Sequence, residues 1–261
     1  MKVTCIQMNM ELGQPDKNFC RAAGLIGRAM EGTPDVILLP ETWNTGFYPE
    51  KGLNEMSQGA AGQVKLKIGA LAKEHSVNII AGSVSDYRNG SLYNTALVFD
   101  RQGSCIASYD KAHLFSPMEE NRHYSPGNTL CSFELDGIKA GLVICYDLRF
   151  PEFARSLALR GMEVLFMVSQ WPDVRIPQLH ALAAARAIEN QVYVACCNSC
   201  GRAGAAQYGG RSILISPLGE TIALAGADEE LLRGEFDPAL LPGIRSAMPV
   251  FADRRRDMYD I

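Results

Sequence analysis

Three short, unbroken apolar runs most constrain what this chain can fold into. Val36-Ile37-Leu38-Leu39, Ala140 to Cys145 and Val164 to Val168 are each of strand length and carry no charged or strongly polar residue on either face. A strand reads this way when both of its faces are covered. Helical patterns lie between such runs. Phe19, Ala22, Ala23, Ile26, Ala29 and Met30 recur at helical spacing after Asp16, which reads as the cap. Val64, Ile68 and Leu71 mark the inner face of a second helix, and further helices are expected over 152–160 and 181–190. Strands are expected over 3–8, 78–84, 96–99, 105–109, 192–196, 212–216 and 221–225, with turns at Asp100-Arg101-Gln102-Gly103 and Pro217-Leu218-Gly219. Hairpins mixed with strand–helix–strand units predict an α/β fold of layered, mixed sheets. No linker-like run and no repeat divides the sequence, so one domain over residues 1–261 is expected.

Charge and composition remove several functional classes. The formal net charge is −4, and the one basic run, Arg254-Arg255-Arg256, is flanked by Asp253 and Asp257. That pattern reads as a solvated, salt-bridged face, and no nucleic-acid partner is expected. No apolar run approaches the roughly 20 residues of a membrane span. The beginning of the chain turns polar at Gln7, too soon for an export signal, so a cytoplasmic protein without a membrane partner is expected. Its eight cysteines then read as reduced thiols, mostly small buried hydrophobes. Cys197 and Cys200 have CxxC spacing beside Cys196 but lack a second ligand pair, so no metal site is expected. Neither a Gly-x-Ser-x-Gly elbow nor a glycine-rich phosphate loop occurs.

Chemistry-bearing residues stand at the ends of the strands. Val36 to Pro40 stops at Glu41, Ile106 to Asp110 at Lys111, and Leu142 to Ile144 at Cys145, while Val164 to Ser169 runs on to Trp171. Ligands gather at the carboxyl ends of strands in α/β sheets. An acid, an amine and a thiol delivered to one such edge form a workable set for acyl transfer. The ammonium favours a thiolate, the carboxylate accepts the thiol proton, and the ammonium steadies an oxyanion on the acyl carbon. Taken singly, Glu41 also reads as a structural carboxylate, Lys111 as a surface lysine and Cys145 as core.

The local sequences go further. Leu38-Leu39-Pro40-Glu41 with Trp43-x-x-Gly46-Phe47, then Tyr109-Asp110-Lys111-x-His113-Leu114-Phe115, then Gly141 to Glu152 around Cys145-Tyr146-Asp147-Leu148-Arg149-Phe150-Pro151 resemble the nitrilase superfamily of carbon–nitrogen hydrolases. Ala185 to Gln191 and the tail from Pro249 to Tyr259 add two further blocks, and the likeness runs from Gln7 to the C-terminus. The resemblance implies a four-layer α-β-β-α sandwich and a Glu-Lys-Cys triad of Glu41, Lys111 and Cys145. Glu120 matches the family's second glutamate, with Glu119 as the adjacent alternative. It implies attack by Cys145 on an amide carbon, with Glu41 as base and Lys111 and the Tyr146 backbone N–H holding the oxyanion. It also implies no metal or organic cofactor, and a homodimer or higher homo-oligomer through helices such as 152–160.

Within the superfamily, the Cys145 block and the Met118-Glu119-Glu120 region look most like the omega-amidase branch, whose substrates are 2-oxoglutaramate and 2-oxosuccinamate. Such a small-molecule amide needs a cation for its free carboxylate, and Arg175, shortly after Trp171-Pro172, is the candidate. A loop salt bridge is the other reading of Arg175. Trp171 reads either as pocket wall or as core. Gln178-Leu179 stand where close omega-amidase relatives commonly have His-Trp, a departure in a region expected to shape the pocket. Other amide substrates, such as an N-carbamoyl amine or deaminated glutathione, and a catalytically silent binding protein are the alternatives.

Overall fold

A computed structural model describes residues 1–47, 49 and 51–259. In chain order its elements are β1 (Lys2–Gln7), α1 (Pro15–Ala29), β2 (Val36–Leu38), α2 (Leu53–Met56), α3 (Ala60–His75), β3 (Asn78–Arg88), β4 (Ser91–Phe99) and β5 (Cys105–Asp110). There follow α4 (Glu120–His123), β6 (Cys131–Leu135), β7 (Ile138–Ile144), α5 (Pro151–Ala158), β8 (Val164–Ser169), α6 (Ile176–Asn190) and β9 (Tyr193–Asn198). The hairpin β10 (Cys200–Ala203) and β11 (Ala206–Gly209), then β12 (Ile213–Ile215), β13 (Thr221–Leu224), β14 (Glu230–Glu235) and α7 (Leu241–Ala247) complete the chain.

The strands form two six-stranded sheets, in the orders β14-β1-β2-β3-β4-β5 and β13-β12-β9-β8-β7-β6. β1, β2 and β3 run parallel at the centre of one, and β7, β8 and β9 at the centre of the other. Antiparallel strands close the edges of both sheets. The unbroken apolar runs are explained by what each face meets. Val36 and Leu38 join Val164, Phe166 and Val168 in a core between the sheets. Ile37 and Leu39 turn the other way, onto Leu25 and Ile26 of α1 and Ile68 of α3. Leu165 and Met167 meet Leu157 of α5 and Leu179 and Ala183 of α6. Successive strand residues therefore face a sheet and a helix layer in turn, which gives the expected α-β-β-α sandwich.

Some local expectations need correction. Asp16 is not the cap of α1: Gln14 holds that position and Pro15 opens the helix, so Asp16 lies in the first turn, where its charge still suits the helix dipole. β3 and β4 are longer than expected, because Asn89 and Gly90, both at positive φ, turn them into one hairpin. β6, β10, β11 and β14 were not read from the sequence. β14 and β6 are short and mix apolar with charged or polar residues, a pattern that resembles loop until a neighbouring strand pairs with it.

Glycine matters at one place for the site. Gly82 in β3 has φ of +59°, and a Cβ there would collide with the Pro40 carbonyl oxygen. The chain after β2 passes directly over this glycine, and that passage carries Glu41.

Candidate active site

The end of β2 delivers Glu41, the residue after β5 is Lys111, and the residue after β7 is Cys145. Lys111 is 1% exposed and Glu41 and Glu120 are 0% exposed, so an ammonium and two carboxyl groups lie together out of water. Lys111 Nζ donates to Glu41 Oε1 at 2.8 Å and to Glu120 Oε2 and Oε1 at 2.9 and 3.0 Å. Asn94 Nδ2 bridges the same two acids, at 2.8 Å from Glu41 Oε1 and 3.3 Å from Glu120 Oε1. The Gln170 backbone N–H donates to Glu41 Oε2 at 2.9 Å, and the Phe115 N–H to Glu120 Oε2 at 2.6 Å. Burial of this kind is tolerated only because both acids share one cation and every oxygen has a donor.

The electrostatics follow from that packing. Burial alone would depress the Lys111 ammonium, but Glu41 and Glu120 more than offset it and hold it well above its ordinary value. Burial pushes the Glu120 carboxyl up; Lys111 pulls it down and the like charge of Glu41 pushes it further up. The Cys145 thiol is also held well above its ordinary value, by burial first and by the negative charge of Glu41 second. Lys111 and the Gln170 amide pull the other way without prevailing. Lys111 thus favours the thiolate, as expected, but burial and Glu41 outweigh it in the resting site. The thiol keeps its proton, and the neighbouring carboxylate Glu41 is in place to take it.

Cys145 itself has φ of +48°, a left-handed conformation that a non-glycine residue holds only when its surroundings fix it. Asp147, 1% exposed, supplies the fixing contacts. Its Oδ2 accepts from the Ile144 N–H at 2.9 Å and the Tyr109 hydroxyl at 2.7 Å. Its Oδ1 accepts from the His113 N–H at 3.0 Å and lies 2.8 Å from His113 Nδ1. The turn after β7 is thereby tied to the turn after β5, and Cys145 is held in register with Lys111. Cys145 to Arg149 form one 3₁₀ turn. The Tyr146 N–H lies in its first turn, where amides have no helical carbonyl to bond, so it is free to serve an oxyanion.

Cys145 opens into a narrow cavity. Its walls include Phe47, Phe115, Tyr146 and Trp171. The only charged residues among the described lining are Arg149 and Arg175. The Arg175 guanidinium lies over the Phe115 ring at 5.1 Å, and that of Arg149 over the Trp171 ring at 5.2 Å. Neither arginine is paired with a carboxylate among the described residues. Among the described residues Arg175 is thus not in a loop salt bridge. Trp171 satisfies both of its readings, being 3% exposed in the helix–sheet core while also lining the cavity. Asn198 fixes it: Oδ1 accepts from the Trp171 N–H at 2.6 Å and Nδ2 donates to its carbonyl at 3.2 Å.

Other expectations sort themselves around this centre. Glu119 is exposed and pairs with Arg122 at 2.7 Å, so it is a solvated acid. Gln178 is exposed and Leu179 is buried on the inner face of α6; neither lines the cavity, which this region reaches through Trp171, Pro172 and Arg175. All eight cysteines are free thiols, and most are buried as expected; Cys20 and Cys105 are exposed. Among the described residues no group of three or more His, Cys, Asp or Glu could hold a metal ion. Among the described residues no helix is long and apolar enough to cross a membrane. Asn94, Gln170, Asp147 and Arg149 are the residues that the sequence did not single out. Asp147 and Arg149 lie inside the Cys145 block, two and four residues after the cysteine, whereas nothing local marks Asn94 or Gln170.

Two sheets packed face to face between helix layers, with a buried acid–amine pair beneath a cysteine, define a nitrilase-superfamily architecture. The structure of XC1258 from Xanthomonas campestris, titled a CN-hydrolase superfamily protein with an arsenic adduct in the active site, superposes with a TM-score of 0.92. It is 27% identical and covers 100% of this chain and 98% of its own. The carbon–nitrogen hydrolase family model matches residues 2–245. The chain belongs to the carbon–nitrogen hydrolase family. The 2-oxoglutaramate amidase of Bacillus subtilis (strain 168) is 39% identical, over 98% of both chains. The omega-amidase NIT2 of Homo sapiens is 33% identical, over 100% of this chain and 97% of its own.

Proposed function

We propose that this enzyme hydrolyses the terminal carboxamide of a short carboxylate-bearing substrate, of the 2-oxoglutaramate or 2-oxosuccinamate type, to the acid and ammonia through a thioester on Cys145. One observation carries the reading. A cavity with two arginines, neither paired with a carboxylate among the described residues, opens on a thiol beside the buried Glu41–Lys111–Glu120 set. The carboxylate end of such a substrate suits Arg175 and Arg149, and its amide end suits the thiol. The names of the Bacillus subtilis and human relatives support the same substrate class.

The steps balance as follows. Glu41 takes the Cys145 proton as sulfur attacks the amide carbon. The carbonyl oxygen becomes an oxyanion between Lys111 Nζ and the Tyr146 N–H. Protonated Glu41 returns the proton to nitrogen, the C–N bond breaks, and ammonia leaves a thioester. Glu41 then takes a proton from water, the hydroxide adds to the thioester carbon, and sulfur leaves to recover its proton from Glu41. Glu120 holds the ammonium with both oxygens and so positions Lys111 throughout. The same reading takes residues 1–261 as one hydrolase domain, cytoplasmic and homodimeric, with no organic cofactor.

The test is ammonia release by purified enzyme from 2-oxoglutaramate, 2-oxosuccinamate, an N-carbamoyl amine and deaminated glutathione. The dicarboxylate monoamides should give the highest kcat/KM, and Cys145→Ala should release none. Preference for the N-carbamoyl amine or deaminated glutathione would transfer the assignment to those substrates. A Cys145→Ala variant as fast as wild type would end the thioester mechanism.

A further inference from the structure

Gln170 lines the same cavity as Cys145 and is 5% exposed. Its backbone N–H holds Glu41 Oε2, and its side-chain amide nitrogen is also fully engaged. Nε2 lies 2.6 Å from the Glu41 carbonyl oxygen, 2.8 Å from Thr42 Oγ1 and 2.9 Å from Met10 Sδ. These partners fix which way the amide faces. Rotated by half a turn, Oε1 would meet the Glu41 carbonyl oxygen, two acceptors with no proton between them. Oε1 is therefore set on the other side, and there it has no partner among the described residues. It is the only buried side-chain polar atom of the described cavity lining left in that condition. A buried acceptor is costly to leave unbonded, so one that persists at a reaction centre calls for a donor.

We propose that Gln170 Oε1 accepts an N–H of the scissile carboxamide, making Gln170 a substrate-contacting residue that selects primary amides over esters. This rests on the amidase reading above and adds a reason for the choice of leaving group. With the substrate carbonyl oxygen between Lys111 and the Tyr146 N–H, the amide nitrogen lies toward Glu41, which must protonate it. Gln170 is bonded to that same carboxylate through its backbone. An N–H held by Oε1 turns the nitrogen lone pair toward the Glu41 proton. The bond to Oε1 persists while the C–N bond breaks, and ammonia departs from it. An ester presents an oxygen without a hydrogen at this place and leaves Oε1 unbonded, which is how a polar pocket rejects an analogue lacking its donor.

The experiment compares 2-oxoglutaramate with the 5-methyl ester of 2-oxoglutarate in wild type and Gln170→Leu. Loss of the Nε2 contacts to Glu41 and Thr42 slows both substrates alike. Loss of Oε1 slows only the amide. The expected result is a fall in kcat/KM for the amide about tenfold larger than for the ester, the size of one hydrogen bond between neutral groups. Equal falls would overturn the assignment and reduce Gln170 to a brace of the Glu41 turn. Wild type inactive on every primary amide would overturn the amidase reading and this assignment with it. Should Gln170→Leu not fold, binding to Cys145→Ala, in which Gln170 is intact, gives the answer. The amide should bind about tenfold more tightly than the ester, and equal affinities would refute the contact.

Discussion

Replacing Lys111 by methionine removes the one cation between two buried carboxyl groups and keeps the side chain as far as Cε. In the wild type Lys111 Nζ bonds Glu41 at 2.8 Å and Glu120 at 2.9 Å, with all three side chains at 0% exposure. Breaking a buried ion pair by deleting one partner costs about 3–5 kcal/mol. The two acids then face each other at roughly 5 Å, and with an effective dielectric of about 20 their repulsion alone is about 3 kcal/mol. That figure agrees with the lower end of the range. A pH dependence follows, and its sign is fixed. Without the cation, repulsion and burial make the folded variant hold a proton that the unfolded chain has released at neutral pH. The folded state then binds more protons than the unfolded state, so the variant gains stability relative to wild type as pH falls toward the ordinary carboxylate range. Urea unfolding of both proteins at pH 7.5 and 5.5 measures this. The expected deficit is about 3–5 kcal/mol at pH 7.5 and smaller at pH 5.5. A Lys111→Met protein as stable as wild type at pH 7.5, or one whose deficit is the same at both values, would refute the argument that the ammonium neutralises buried charge.

Arg175→Met should lower kcat/KM for a carboxylate-bearing amide by about ten- to a hundredfold, the loss of one charge-assisted bond of about 1.5–3 kcal/mol. It should leave an uncharged amide such as butyramide unchanged; equal losses on both would remove Arg175 from carboxylate recognition. Asp147→Asn keeps the shape of the turn after β7 but replaces an acceptor-only group that serves the Ile144 and His113 amides and Tyr109. Steady-state kinetics should show kcat reduced more than tenfold with KM little altered, and a proportional rise in KM would point instead to a damaged pocket. Burial raises the Cys131 thiol from 9.0 to about 12, so the unfolded chain sheds this proton first. Stability should therefore fall as pH rises from 9.0 toward about 12, by up to about 1.4 kcal/mol per unit from this thiol. Cys131→Ala should show a correspondingly shallower slope in denaturant titrations.

Much of the site was legible because each of its main residues follows directly from a strand. Glu41, Lys111 and Cys145 come within three residues after β2, β5 and β7, where a local sequence block carries both the strand and the functional side chain. The sandwich was legible for a related reason. A residue in β2 or β8 that must face either another sheet or a helix has to be apolar at every position, and that requirement is written in one continuous run. The short edge strands β6 and β14 escaped, since half of their residues face water and only pairing distinguishes them from loop.

Three things belonged to the tertiary structure alone. The first is the partnership of Asn94 and Gln170 with Glu41, across 53 and 129 positions of sequence. An asparagine in a strand and a glutamine after one carry no local sign of what they will bond. The second is the protonation of Cys145. The chain supplies both a cation and an anion to the thiol, and only distance and burial decide that the anion and the missing water outweigh the ammonium. The third is the pair of arginines in the cavity. Arg149 reads in sequence only as part of the cysteine block, and Arg175 reads either as the cation for a substrate carboxylate or as a loop salt bridge. Folding brings both to one wall system, where most of the surrounding residues are aromatic or apolar and no described carboxylate neutralises them. Sequence fixes which groups are available, because strand periodicity and local blocks are properties of near neighbours. Which groups meet, and therefore what charge each carries, depends on contacts between distant segments that exist only in the packed chain.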